Sequence, residues 1–323
     1  MSATPTDRFP DRPDQRPSAT AATRPLLLRL LDAPVRWRAL DTVAAPVRDL
    51  VRAAEPRWLA DLLHGTWLGH PLHPVLAQVV VGSWTSAAAV DALSLAGLVP
   101  DDLADGADAT SAALAAAGIA TTLPTVASGL TDWAELHPDQ QRIGLVHAAS
   151  NYAALTVFAA SLVQRWRGRT TSARWLSVAG VSTATLGAAL GGHLSYRWSA
   201  GASHAEHVPH VAPEGWHRVA AYDELVVDEP VQGHVGDVPV VVVRTADGVS
   251  VLADSCSHLA GPLSGGKVTR EGGEACLVCP WHGSAFRLAD GSVAAGPAVA
   301  PQPVLASRVD VDGGVLARVV PVP

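Results

Sequence analysis

Between Cys256 and His282 the chain presents two short donor clusters, Cys256-Ser257-His258 and Cys279-Pro280-Trp281-His282, with twenty residues between them. Each offers one thiolate and one imidazole. Together they supply what a [2Fe-2S] cluster of mixed ligation needs, two cysteines on one iron and two histidines on the other. Tetrahedral zinc also accepts two cysteines and two histidines. Zinc sites, however, seldom open with C-x-H and have no use for the surroundings found here, where Gly261, Pro262, Gly265, Gly266, Pro280, Gly283 and Ser284 crowd both clusters. Small residues let two loops approach a cluster closely and aim backbone N–H groups at its sulfurs. Cys276 lies in the apolar run Ala275-Cys276-Leu277-Val278. That run predicts a buried strand, in which a third cysteine is a small inert hydrophobe.

The segments CSHLAGPLSGG and CPWHGSAF, with the later Gly296-Pro297, resemble the two ligand loops and the proline loop of the Rieske family. The resemblance implies Cys256 and Cys279 on a buried iron, His258 and His282 on an outer one, and exposed imidazole edges as the exit for the electron. Rieske proteins of respiratory bc complexes carry an extra cysteine in each loop, joined as a disulfide. Gly261 and Trp281 stand at those positions here, so no loop disulfide can form. In this respect the chain resembles the Rieske-type ferredoxins of dioxygenase systems. Ser284 keeps a hydroxyl that the bc-type proteins aim at a bridging sulfide, and Phe286 replaces their tyrosine; Ser284, Trp281 and Gly283 are therefore the expected cluster-tuning residues. Fewer hydrogen bonds to the sulfurs imply a potential in the lower part of the roughly −150 to +300 mV Rieske range. Nothing resembles a mononuclear iron triad, so oxygenase catalysis is not expected.

The elements that must position these loops predict a multidomain chain: an N-terminal all-α four-helix transmembrane bundle and a C-terminal all-β, Rieske-type antiparallel sandwich. Charged residues make up 16% of the 323 residues and mean hydropathy is +0.21, too apolar for an ordinary soluble enzyme. The net charge of −7 argues against nucleic acid as a partner, and three cysteines cannot build a disulfide framework. Residues 1–24, rich in Pro, Arg, Asp, Ser and Thr, predict a disordered tail. They hold no apolar signal core and no twin arginine. Residues 25–66 form an amphipathic segment with Val43, Val47, Leu50 and Val51 at helical spacing, suited either to a membrane surface or to packing on its own domain. The transmembrane domain is 67–199. Its apolar stretches run from His73 to Val99, Ala109 to Leu130, Gly144 to Val163 and Trp175 to Trp198, each long enough to span. Residues 200–215, with His204, His207 and His210, read as a flexible linker. From 216 to 323 the period changes to two, with hairpin turns at Ala246-Asp247-Gly248 and Asp290-Gly291, and alternation continuing through Val309, Val311, Val315, Ala317 and Val319.

Four spans return the chain to the face it started from. His70, His73, His147 and His193 therefore share one face with the C-terminal domain, as do Asp132, Glu135 and His137. Arg52, Arg57, Arg142 and Arg197 flank that side and Arg165, Arg167, Arg169 and Arg174 the other, so charge does not orient the bundle; the expectation is a multi-pass cell-membrane protein with both termini cytoplasmic. The motifs GHPLHPVLAQVVVGSW, SGLTDWAELH, RIGLVHAASN and GGHLSYRW resemble an uncharacterised four-helix bacterial membrane domain that occurs fused to Rieske domains. That family supplies an architecture without an activity. Ionisable residues at the edge of a bundle are functional candidates: His73, His147 and His193 could ligate haem b or hold a quinone head, or simply bond helix ends. The expected function is a membrane-anchored Rieske protein passing single electrons between a membrane donor or acceptor and an unidentified redox protein. The alternatives are a self-contained membrane oxidoreductase with haem or quinone in the bundle, and a redox-sensing or assembly module.

Overall fold

The computed structural model describes residues 25–320, and the tail expected at 1–24 lies outside the described residues. Three α-helices come first: α1 (Leu26–Leu31), α2 (Asp41–Ala54) and α3 (Arg57–His64). The apolar positions of α2 divide between two faces. Val47 and Val51 pack with Ala44 against Trp133 and Leu136 of the bundle, whereas Val43 and Leu50 are exposed. Two ion pairs fasten the segment, Arg52 Nε to Glu135 Oε1 at 2.8 Å and Arg142 Nε to Asp41 Oδ1 at 2.7 Å. The segment thus rests on its own domain while offering apolar side chains outward. At the end of α3 Gly65 has φ +85°, and a Cβ there would meet His70 O at 2.3 Å, so only glycine makes this turn.

The bundle consists of α4 (Leu72–Leu95), α5 (Ala104–Ala134), α6 (Pro138–Trp166) and α7 (Thr170–Trp198). Among the described residues, three helical stretches, Leu72–Leu95, Asp101–Ala134 and Pro138–Trp166, are long and apolar enough to cross a membrane. The fourth helix, α7, is not among them, because Ser, Thr and Gly dilute its apolar content. α4 packs with α5 and α6 with α7, and the two hairpins close on each other through α4–α7 and α5–α6 contacts. The hairpins place related positions at matching offsets. A shift of 74 residues carries His73 to His147, Trp84 to Phe158 and Asp91 to Arg165, and a shift of 62 carries Gly118, Thr125 and Gly129 to Gly180, Gly187 and Gly191. Each of the first three pairs meets across the bundle. The His73 and His147 rings lie 6.3 Å apart, Trp84 stacks on Phe158 at 4.6 Å, and Arg165 Nη2 bonds Asp91 Oδ1 at 2.7 Å. Gly118 and Gly180 make room for Trp84 and Phe158, since a Cβ at either would enter the ring. Arg165 is therefore not the loop cation the sequence suggests; it is a buried residue of α6 that also pairs with Asp108.

After α8 (Val208–Val211) the chain turns to β structure: β1 (His217–Ala221), β2 (Pro230–Val235), β3 (Val238–Thr245), β4 (Gly248–Ala253), β5 (Lys267–Glu271), β6 (Glu274–Val278), β7 (Ala285–Arg287), β8 (Val293–Ala295), β9 (Val304–Val309) and β10 (Gly314–Val319). All pairings between named strands are antiparallel, in a six-stranded sheet β1-β10-β9-β4-β3-β2 and a four-stranded sheet β5-β6-β7-β8. Val311 breaks the expected alternation. It sits fully exposed in the turn between β9 and β10, where Asp310, Asp312 and Gly313 bend the chain. The linker also departs from expectation. It is tied rather than free: His204 N–H donates to Ser257 O at 2.9 Å, Ala205 is buried, and Val208 packs on Val238 and Ala253. Pro209 does not prevent α8, because it falls in the first turn, where no intrahelical N–H is needed.

Candidate metal centre

The β4–β5 loop carries Cys256 and His258, and the β6–β7 loop carries Cys279 and His282. Both loops solve the same backbone problem in the same way. Cys256 N–H donates to Gly261 O, and Cys279 N–H to Ser284 O, each five residues ahead. The carbonyls of Cys256 and Cys279 accept from Ala260 N–H and Gly283 N–H, each four residues ahead. Those last two residues have positive φ, +59° at Ala260 and +79° at Gly283. Each loop is thereby curled around its own sulfur. Backbone N–H groups of His258 and Leu259 point at Cys256, and those of Trp281 and His282 at Cys279.

The thiols touch each other. Contact with Cys256, aided by the two backbone donors, lowers the Cys279 thiol to about 7, while contact with Cys279 and then burial push Cys256 well above the usual thiol range. The imidazoles form the second pair: His258 Nδ1 lies 3.2 Å from His282 Nδ1, with the rings perpendicular. Burial, then the adjacent His282, holds His258 well below the ordinary histidine range. A neutral imidazole is the metal-binding form.

The spacing of these residues fits a [2Fe-2S] cluster. Two nitrogens bound to one tetrahedral metal at about 2.0–2.1 Å stand roughly 3.3 Å apart, which matches the two Nδ1 atoms. No group of three or more His, Cys, Asp or Glu side chains among the described residues could hold a single ion. Two two-donor ends, one of sulfur and one of nitrogen, suit a binuclear group. Gly261 is needed at the sulfur end, because a Cβ there would stand 3.0 Å from Cys279 Sγ and from the Trp281 ring. When bound, such a cluster accepts and releases one electron; Cys256 and Cys279 would hold one iron and His258 and His282 the other.

Buried polar side chains that the motifs do not announce hold the loops. Gln302, almost fully buried, accepts from Ser257 N–H at 2.9 Å and donates to Ala253 O and Ser255 O. Asp254 accepts from Ser264 N–H, Ser264 Oγ and Gln232 Nε2. Asp254 has a weak signal in the sequence, its place two residues before Cys256. Gln302 has none, because it lies 45 residues beyond Ser257. Ser284, fully buried, accepts from Ala298 N–H at 3.0 Å, which leaves its own O–H as a donor.

The histidine end is covered by the helical domain, and this corrects the expectation of exposed imidazole edges: His258 and His282 are half-buried. A cavity of about 50 Å³ at the seam is lined by His258, Ser257 and Pro297 on one side and by Pro71, Asp132 and Leu136 on the other. Asp61 Oδ1 accepts from Gly296 N–H at 2.7 Å, Arg57 pairs with Glu271 at 3.0 Å, and His137 meets the Trp281 ring edge-on at 6.0 Å. His64, buried beside the seam, bonds Asp132 Oδ1 at 2.7 Å.

Two family models match the sequence, "Rieske [2Fe-2S] domain" over residues 215–309 and "Predicted membrane protein (DUF2231)" over residues 69–204. The chain fuses a DUF2231 domain to a Rieske domain. Similar solved structures include the ferredoxin of carbazole 1,9a-dioxygenase from Nocardioides aromaticivorans IC177, 30% identical over 33% of this chain and 100% of that one, with a TM-score of 0.30. A putative NADH-dependent nitrite reductase small subunit from Mycobacterium tuberculosis is 29% identical over 34% of this chain and 99% of that one, also at 0.30. No curated protein matches.

Within the DUF2231 domain the three candidate histidines separate. His73 and His147 face each other, with Nδ1 of His73 bonded to Thr125 O at 2.9 Å and Nδ1 of His147 to Gly187 O at 2.8 Å. His193 stands apart from that pair in its bonding, with Nε2 at 2.9 Å from Asp32 Oδ1. The pairing of His73 with His147 is visible only once α4 and α6 are packed together.

Proposed function

We propose that this chain is a membrane-anchored Rieske protein that passes single electrons between a membrane-side donor or acceptor and a second redox partner. The observation that carries the proposal is the pair of matched loops, which bring two thiols together and two imidazole nitrogens to 3.2 Å. The seam supports the membrane side of the path, because the imidazole end is seated on the DUF2231 domain. EPR of the detergent-purified full-length protein, oxidised and dithionite-reduced, tests it. A reduced Rieske signal that is lost in His282→Ala is expected; protein containing iron and sulfide without that signal would contradict the assignment.

The Rieske domain is assigned to the cytoplasmic face. Leu31 of α1 packs on Ile143, Leu190 and Leu194 at the Rieske end of the bundle, so the N-terminal segment adds Arg29, Arg36 and Arg38 to that side. At the far end Arg165 is withdrawn into a buried pair with Asp91. The cation count then favours the Rieske side as the inner one. Labelling of a cysteine introduced at Val311 by an impermeant reagent in intact cells would overturn that orientation.

A further inference from the structure

The N-terminal segment is sorted by charge and by polarity between an inner and an outer side. Its carboxylates are engaged with the rest of the molecule: Asp32 bonds His193, Asp41 pairs with Arg142, Glu55 accepts from Thr131 Oγ1, and Asp61 accepts from Gly296 N–H. Asp49, at the surface, is matched by Arg48. Arg29, Arg36 and Arg38 remain exposed. The apolar side chains divide in the same way. Leu31, Ala44, Val47 and Val51 pack on the bundle, whereas Leu27, Leu30, Trp37, Leu50, Trp58 and Leu62 are exposed. Packing on its own domain therefore accounts for the inner side alone. The outer side is basic and apolar together, the composition of helices that lie in a lipid headgroup layer.

The height of the segment decides what covers that side. Asp32 bonds His193 and Trp198 in the last turns of α7, α2 packs on Trp133 and Leu136 where α5 gives way to α6, and α3 touches α4 and α5. The three short helices thus border all four long ones at their Rieske end, where the hydrocarbon of a bilayer gives way to its aqueous boundary. Trp67, just before α4, and Tyr196, near the end of α7, are exposed at the same level, and Trp and Tyr are enriched at that boundary. We propose that the outer side of α1–α3 is a collar seated among anionic phospholipid headgroups, its Leu and Trp side chains below the phosphates and Arg29, Arg36 and Arg38 beside them. The proposal rests on the membrane-anchored reading, which sets that height. In α3 the collar also reaches the redox domain: Trp58 and Leu62 enter lipid, His64 bonds Asp132 of the bundle, and Asp61 and Arg57 hold Gly296 and Glu271. The Rieske domain is thereby tied to the bilayer surface.

The test uses the full-length protein in liposomes of phosphatidylcholine with or without phosphatidylglycerol, carrying an NBD label on Leu27→Cys or Leu50→Cys. The references are Leu123→Cys, on the exposed side of α5, and Val311→Cys, in the Rieske domain. Doxyl-labelled phosphatidylcholine is the quencher. The expected result is loss of most emission at Leu27 and Leu50 to a shallow doxyl group, a larger loss with phosphatidylglycerol, and none at Val311. Exchange of Arg29, Arg36 and Arg38 for Gln together should remove the phosphatidylglycerol effect, and Trp58→Ser with Leu62→Ser should speed reoxidation of the reduced cluster by a small hydrophilic oxidant severalfold. Leu123 quenched while Leu27 and Leu50 are not would overturn the collar. So would labels at Leu27 and Leu50 shielded from both doxyl lipid and aqueous iodide, as a second copy or a protein partner would shield them. An unchanged reoxidation rate would overturn the tie to the Rieske domain. Emission at Leu123 that no doxyl lipid lowers would instead contradict the membrane-anchored reading, and the collar with it.

Discussion

Ser284 is where a single hydroxyl is expected to set the redox character of the cluster. Its oxygen accepts from Ala298 N–H, and the resemblance to the bc-type proteins implies that its O–H is directed at a bridging sulfide. Ser284→Ala should lower the midpoint potential by tens of millivolts, on the scale of about 1 kcal/mol for one hydrogen bond, and protein-film voltammetry would read it; an unchanged midpoint would remove Ser284 from the tuning set. Gln302 serves a different end, holding Ser257 N–H and two carbonyls at once. Gln302→Ala strands these groups, at about 1–3 kcal/mol each if they stay dry, and should lower the melting temperature and cluster retention together. The four ligands are legible in the sequence because their identities and spacing are the chemistry. Gln302 is not, because its partners are backbone atoms brought close only by the fold.

At the scale of elements, the bundle is joined at its far end by Arg165, Asp91 and Asp108. Removing Arg165 leaves the buried Asp91 without its cation, a loss of about 3–5 kcal/mol, whereas neutralising both is often far milder; removing Asp91 still leaves Arg165 its pair with Asp108. Arg165→Gln should destabilise the helical domain more than the Arg165→Gln/Asp91→Asn double variant does, as followed by thermal unfolding in detergent; equal losses in the two would show that the pair is not coupled. Helices, strands and the domain order are readable from apolar periodicity. Partners across the bundle are not: Arg165 reads as a loop cation because its distance from Asp91 in sequence hides their contact, and the tied linker reads as free because its burial depends on Val238 and Ala253.

At the scale of the whole molecule, the seam decides how the cluster meets solvent. Asp61 reaches from α3 to Gly296 N–H beside the ligand loops, so Asp61→Ala should loosen the seam and speed reoxidation of the reduced cluster by a small hydrophilic oxidant in stopped flow. An unchanged rate would mean that the covering by the helical domain does not limit access. The paired hairpins carry a last consequence. Were two copies of the α4–α5 hairpin to associate in place of α4–α5 with α6–α7, Asp91 would face Asp91, and two α6–α7 hairpins would set Arg165 against Arg165. Like charges set against each other in a buried site cost several kcal/mol, so either self-pairing would be disfavoured against the closed bundle, in which each half-bundle meets its complement.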